Sequence, residues 1–125
     1  MGDVVMTIRS FKNLEANTWD WAVFSGCFGS SKMSMSDLDG IIERRGNFLV
    51  IETKLPGVPI SMGQSILFSH LSEVPGFTVI VVWGNPGKAE KMMRWPDGGK
   101  IDITTEQLRD EVSKWYQYAN SHSRL

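Results

Sequence analysis

Residues 37–54 read Asp37-Leu38-Asp39-Gly40-Ile41-Ile42-Glu43-Arg44-Arg45-Gly46-Asn47-Phe48-Leu49-Val50-Ile51-Glu52-Thr53-Lys54. Two arms, 37–43 and 48–54, are rich in β-branched and apolar residues and flank the polar segment Arg44–Asn47. That pattern predicts a β-hairpin. Charge is set inside the apolar arms, with Asp37 and Asp39 on the first and Glu52 and Lys54 on the second. If Arg45-Gly46 is a two-residue turn, Asp39 falls opposite Glu52, with directly opposed Cβ atoms roughly 5 Å apart. A turn at Gly46-Asn47 puts Asp39 opposite Lys54 instead. Either register gathers Asp39, Glu52 and Lys54, because strand alternation keeps residues two apart on one face.

Downstream, Pro56-Gly57 and Pro59 break the second arm, and Ser61 with Gln64 has the spacing of a helical capping box. Gln64, Leu67, Leu71 and Val74 then share one helical face until Pro75-Gly76. The apolar run Phe77–Trp83 predicts a strand covered on both faces. After the Gly84–Gly87 turn, Ala89–Trp95 and Lys100–Ile103 read as short outer strands around Pro96-Asp97-Gly98-Gly99. Thr104 with Gln107 opens a last helix, Ile103 and Leu108 can staple it, and Leu108, Val112, Trp115 and Ala119 form its apolar face. Upstream, Phe11, Leu14, Thr18 and Trp21 suggest a helix between Phe11 and Phe28, its aromatic residues in the core, followed by a Gly29–Ser36 loop. The order is helix, hairpin, helix, buried strand, short strands, helix. It describes an α/β (α+β) fold with helices on a mixed sheet.

At 125 residues and 42% hydrophobic, the chain is expected to form one domain over 1–125. Thirteen basic residues against fourteen acidic ones give a net charge of −1, so nucleic-acid contact would depend on local patches. Cys27 is the sole cysteine, which excludes an intramolecular disulfide and a multi-cysteine zinc site. No stretch has the length and apolarity of a membrane span, and the N-terminus lacks the pattern of a secretory leader. The reading is of a soluble, cytoplasmic chain without a membrane partner. Gly26-Cys27-Phe28-Gly29 is no phosphate loop, and Cys27 has no histidine near it in sequence.

Two carboxylates held together repel, so one must take a proton or both must share a cation. Mg²⁺ suits them, since it accepts one or two carboxylates and keeps other positions for water and phosphate. The Thr53 carbonyl is a third candidate ligand, and Lys54 a group to steady a phosphate oxygen or an attacking water. The competing reading is a solvated amphipathic hairpin in which Lys54 neutralises one acid. Leu49-Val50-Ile51 argues against it, because an acid in a strand buried on both faces needs a reason. Glu43 and Arg44-Arg45 read as a solvated hairpin tip.

Ser36-Asp37-Leu38-Asp39-Gly40, the twelve residues between Asp39 and Glu52, Glu52-Thr53-Lys54 and then Gly63-Gln64 together resemble the Asp…Glu-x-Lys…Gln signature of the PD-(D/E)xK nuclease superfamily. The similarity spans roughly 11–83 and is nearest to small stand-alone phage and bacterial nucleases, including the virus-type replication-repair branch. The resemblance implies a restriction-endonuclease-like core of helix, three strands, helix and strand. It implies Mg²⁺-dependent cleavage of DNA phosphodiesters, with Mn²⁺ able to substitute, and a host-cytoplasm location if the chain is phage-encoded. Asp39 and Glu52 would be metal ligands, Lys54 the catalytic lysine and Gln64 an accessory residue. Asp37 is an alternative to Asp39, and Glu15 a candidate extra acid. Ser36 or Leu38 stands where the signature usually has proline.

Branched, flapped or single-stranded DNA is the expected substrate, with specificity aided by a homodimer or partner protein. Lys88, Lys91, Arg94 and Lys100, against Glu90 and Asp97, form one candidate DNA groove, with Trp95 to stack on a base. Arg9, Lys12 and Lys32 are a second. The alternative is a catalytically silent binding module of a DNA-processing complex.

Overall fold

The computed structural model describes residues 19–96 and 98–125. The chain separates into two compact units, 1–35 and 36–125.

In the first unit the helix expected from Phe11 to Phe28 is replaced, over its described part, by one 3₁₀ turn, Trp21–Phe24. Phe11, Leu14, Glu15 and Thr18 lie outside the described residues. The Asp20 carboxylate accepts from the Ala22 amide at 2.9 Å and starts the turn. Gly26 and Gly29, both at positive φ, take the backbone out of helical geometry beyond it. Trp19, Trp21, Phe24 and Phe28 are exposed rather than packed in a core. Within the described residues these glycines end the helical stretch soon after Phe24.

The second unit is a mixed five-stranded sheet with one helix on each face, so its class is α+β as expected. Its elements are β1 (Gly40–Arg44), β2 (Asn47–Lys54), α1 (Met62–Glu73), β3 (Phe77–Asn85), β4 (Lys88–Trp95), β5 (Ile101–Asp102) and α2 (Thr105–Ser121). The strands lie in sequence order. β2 and β3 are parallel across the α1 crossover, and the other pairs are antiparallel. Among the described residues two strands precede α1, not the three that the nuclease resemblance implies.

Arg45 and Gly46 have φ of 52° and 82°, the left-handed pair that a tight hairpin turn with matching twist requires. Arg44 therefore pairs with Asn47 and Gly40 with Ile51, which selects the first of the two registers. The chain end buttresses this turn. The Arg124 amide donates to the Arg45 carbonyl at 2.9 Å and Asn47 Nδ2 to the His122 carbonyl at 2.8 Å. A Cβ at Gly46 would stand 3.0 Å from that of Arg124, so position 46 needs glycine for both φ and space.

Strand alternation divides the core. Leu49, Ile80, Val82 and Met92 pack with Ile103, Trp115 and Ala119 under α2. Val50, Val79, Val81, Trp83 and Met93 pack with Phe68 under α1. Both capping boxes form as expected, Ser61 with Gln64 and Thr104 with Gln107. Val74, expected on the apolar face of α1, is instead its exposed C-cap, and Phe68 is the side chain that α1 buries completely.

Candidate functional site

Glu52 lies on the α1 side of the sheet, two residues along β2 from the buried Val50, and only 6% of it is exposed. Its Oε1 accepts from Gln64 Nε2 at 3.0 Å. Its buried Oε2 has no hydrogen-bond partner among the described residues. A carboxylate oxygen left so is costly in low dielectric. Burial, and secondarily the charge of Asp39, pushes the Glu52 carboxyl above its ordinary range, while Lys54, the Asp39 backbone and Gln64 pull it back. Gln64 serves twice, since its Oε1 also accepts from the Ser61 amide at 3.5 Å in the capping box. The helix N-terminus thereby holds the amide that holds the acid.

Asp39 sits in the bend just before β1 and is exposed. Its Oδ2 accepts from the Thr53 amide at 2.8 Å and from Thr53 Oγ1 at 3.0 Å. The carboxylate thus takes the place of the carbonyl that a longer β1 would have offered. A strand residue in an antiparallel pair sends its N–H and C=O toward the same neighbour, so the Thr53 carbonyl lies on the same edge as Asp39. Lys54 follows at the end of β2, half-buried and near enough to act on Glu52 electrostatically.

Asp37 was expected on the strand face beside Asp39. It lies instead in irregular backbone three residues before β1, because pairing starts at Gly40. Glu15 lies outside the described residues. Among the described residues no three His, Cys, Asp or Glu side chains cluster to hold a metal. Asp39, Glu52 and the Thr53 carbonyl are all oxygen donors at one strand end, and the unpartnered Glu52 Oε2 is an oxygen that a proton or a cation would satisfy. That donor set fits Mg²⁺, which binds through one or two carboxylates and leaves its other positions to water and phosphate.

The hairpin-tip arginines do not neutralise the acids. Arg44 Nε and Nη2 donate to Asn120 Oδ1 at 2.9 and 2.6 Å, and Arg45 Nη1 donates to the Asn120 carbonyl at 2.7 Å. The expected basic groove is split between faces. Arg94 pairs with Ile80 in register, on the α2 side, and binds Glu111 at 3.2 Å. Lys91 binds Asp102. Trp95 does not offer a free ring either, since Nε1 donates to Ser69 Oγ at 3.0 Å and the ring meets Phe68 edge-on. Lys32 belongs to the first unit, and Arg9 and Lys12 are outside the described residues. Trp83 and Trp115 are core residues, as expected.

A cavity of about 390 Å³ lies beyond the ends of β2 and β3, lined by Ile51, Val82, Lys88, Thr105 and Leu108 among others. Ile51, Val82 and Leu108 belong to the core under α2, whereas Glu52 and Gln64 lie on the α1 side, and Thr53 and Lys54 also line the cavity at the strand end. The acid site lies at the N-terminus of α1, where Gln64 meets the buried Glu52. Sequence reasoning missed the Thr53 hydroxyl on Asp39 and the neighbour of Lys54, which is Trp83 in the parallel register. No local signal gives that register, since it depends on how α1 returns the chain.

Among the described residues no helix is long and apolar enough to cross a membrane. Comparison with family models, curated proteins and solved structures finds no match to this chain.

Proposed function

We propose that the chain is a metal-dependent nuclease with a restriction-endonuclease-like core, hydrolysing DNA phosphodiesters and directed by branched, flapped or single-stranded structure. The observation that carries this reading is Glu52, an acid buried beneath the N-terminus of α1 with one oxygen held by Gln64 and the other unpartnered. Burying an acid this way costs stability, which the single Gln64 hydrogen bond offsets only in part. Asp39, Glu52 and the Thr53 carbonyl would hold Mg²⁺ or Mn²⁺. The metal, when bound, would supply Lewis-acid polarisation of phosphate and a water of lowered pKa. Gln64 fixes the Glu52 carboxylate in one orientation. Lys54 places a positive charge at the same strand end, where charge on a phosphate oxygen would be stabilised.

The second reading, a silent binding module, has one observation in its favour: Asp39 Oδ2 already closes the sheet edge through Thr53. Labelled single-stranded, duplex, flap and four-way-junction DNAs separate the two. With Mg²⁺ or Mn²⁺ the wild-type chain is expected to cut at least one of them. Folded Glu52→Gln and Lys54→Ala chains should lose at least about a hundred-fold in rate, the scale of losing one positioned catalytic group. Chelation of the metal should stop cutting. DNA binding without cutting by the wild-type chain would give the binding module precedence.

A further inference from the structure

We propose that Lys100, poised over the Trp83 ring, is a phosphate contact that extends the acid site across the sheet, so that a DNA backbone runs from Lys54 toward the β4–β5 loop. The inference rests on the DNA reading of the site but not on cleavage. Residues paired in register share a face, and the row that begins at Lys54 continues through Trp83 to Lys91. It runs beside the row of Glu52, Val81 and Met93 on the same α1 side. Neighbouring strands are about 4.8 Å apart, so each step along the row moves that far from Lys54.

Trp83 is a rigid floor for this row. It is 2% exposed, and its Nε1 donates to the Val58 carbonyl at 2.7 Å. The Lys100 ammonium stands 4.0 Å from its ring centroid. A carboxylate partner would position an ammonium but cancel its charge. An aromatic face positions it without cancelling its charge, and Lys100 is exposed. Lys91, on the same row, is neutralised by Asp102, and Arg94 is on the other face with Glu111. Among the described residues Lys100 has no salt-bridge partner. Lys54 and Lys100 thus offer two separate cations along one face, an arrangement that suits successive phosphates of one polyanion.

Each phosphate contact carries a share of the salt dependence of binding, about 0.7 in the slope of log K against log salt for single strands and about 0.9 for duplex. A purely structural lysine carries none. Binding is measured by fluorescence anisotropy with a labelled single-stranded oligodeoxynucleotide and its duplex, over about 50 to 200 mM salt. The chains compared are Glu52→Gln, which cannot hold the metal as wild type would, and its combinations with Lys100→Ala, Lys100→Arg and Lys114→Ala. Lys114 is an exposed lysine on α2, on the far side of the sheet.

Lys100→Ala is expected to lower the slope by about 0.7 on single strands or about 0.9 on duplex, with Lys100→Arg restoring it and Lys114→Ala leaving it unchanged. An unchanged slope with Lys100→Ala, an equal fall with Lys114→Ala, or no DNA binding by the parent chain would overturn the inference. Cutting is scored separately on the wild-type chain. A lowered slope with no cutting removes the nuclease reading alone, and cutting with an unchanged slope removes the Lys100 contact alone.

Discussion

The two faces of the sheet are built from the same strands and closed by helices with the same capping device, yet they end differently. Under α2 the core of Leu49, Ile80, Ile103, Trp115 and Ala119 is apolar, and the buried Asn47 on that face is satisfied by the His122 carbonyl. Under α1 the apolar packing of Val50, Phe68 and Val81 gives way, within one step along β2, to the buried carboxylate of Glu52. The first face spends all its burial on stability. The second gives some up at one corner, where Gln64 satisfies half of an acid and leaves the other half unsatisfied. Such a local conflict inside an otherwise consistent fold is what makes this corner the candidate for the chemistry proposed above.

The largest effect expected from this contrast is on the α2 face. Trp115→Ala should lower stability by about 3–5 kcal/mol in denaturant titration, as other buried aromatic truncations do. A folded fraction of that variant at low temperature should retain the Glu52–Gln64 corner and whatever activity depends on it. Loss of less than about 1 kcal/mol would mean that α2 is a loose cover and that the two faces are more alike than their residues suggest.

A smaller effect belongs to the acid corner. Gln64→Ala strips the donor from Glu52 Oε1, and the orphaned oxygen should cost about 1–3 kcal/mol. Part of any such loss is the capping box, because Gln64 also accepts from Ser61. Ser61→Ala separates the terms. It removes the cap but leaves the Glu52 contact, so it should cost about 1 kcal/mol and leave cutting intact. Equal costs for the two variants would show that the amide matters to the helix and not to the acid.

The smallest effect is one of pH. The Glu52 carboxyl lies above its ordinary value of 4.5 because burial disfavours the charge. The folded protein therefore holds this proton more tightly than the unfolded chain does. Its stabilising contribution is complete below the unfolded value and is lost as pH rises through the folded one. Relative to Glu52→Gln, the wild-type chain should lose stability as pH is raised from about 4 toward neutrality, read from unfolding midpoints in metal-free buffer. A difference that grows on acidification instead would mean that Lys54 and Gln64 outweigh burial, and the corner would then be an ordinary stabilising ion pair.

Much of the second unit was legible in its sequence because the signals were local. The capping boxes at Ser61 and Thr104, the staple of Ile103 on Leu108 and the Arg45-Gly46 turn are each decided by residues within a few positions of one another. Asp39, Glu52 and Lys54 are likewise brought to one end of the hairpin as their spacing suggested, and Gln64 meets Glu52 there. The misses have a common cause. Of the stripe that looks helical by spacing, the described part, Trp19 to Phe28, is exposed, and spacing does not say whether a partner surface exists to bury it. Arg94 and Lys100 look alike in the sequence, yet one is neutralised on the α2 face and the other stands over Trp83.

By itself, then, the sequence determined the hairpin, its register once the turn is placed, the two capped helices and the acids and lysine that meet at the end of β2. These depend on turn chemistry, alternation and capping, all short-range. Only the tertiary structure decided that Glu52 keeps one oxygen unpaired, that Asp39 closes the sheet edge on Thr53, and that Trp83 comes to lie beside Lys54. The last of these follows from the parallel pairing of β2 with β3. That pairing is made by strands some thirty residues apart, and no local preference encodes it.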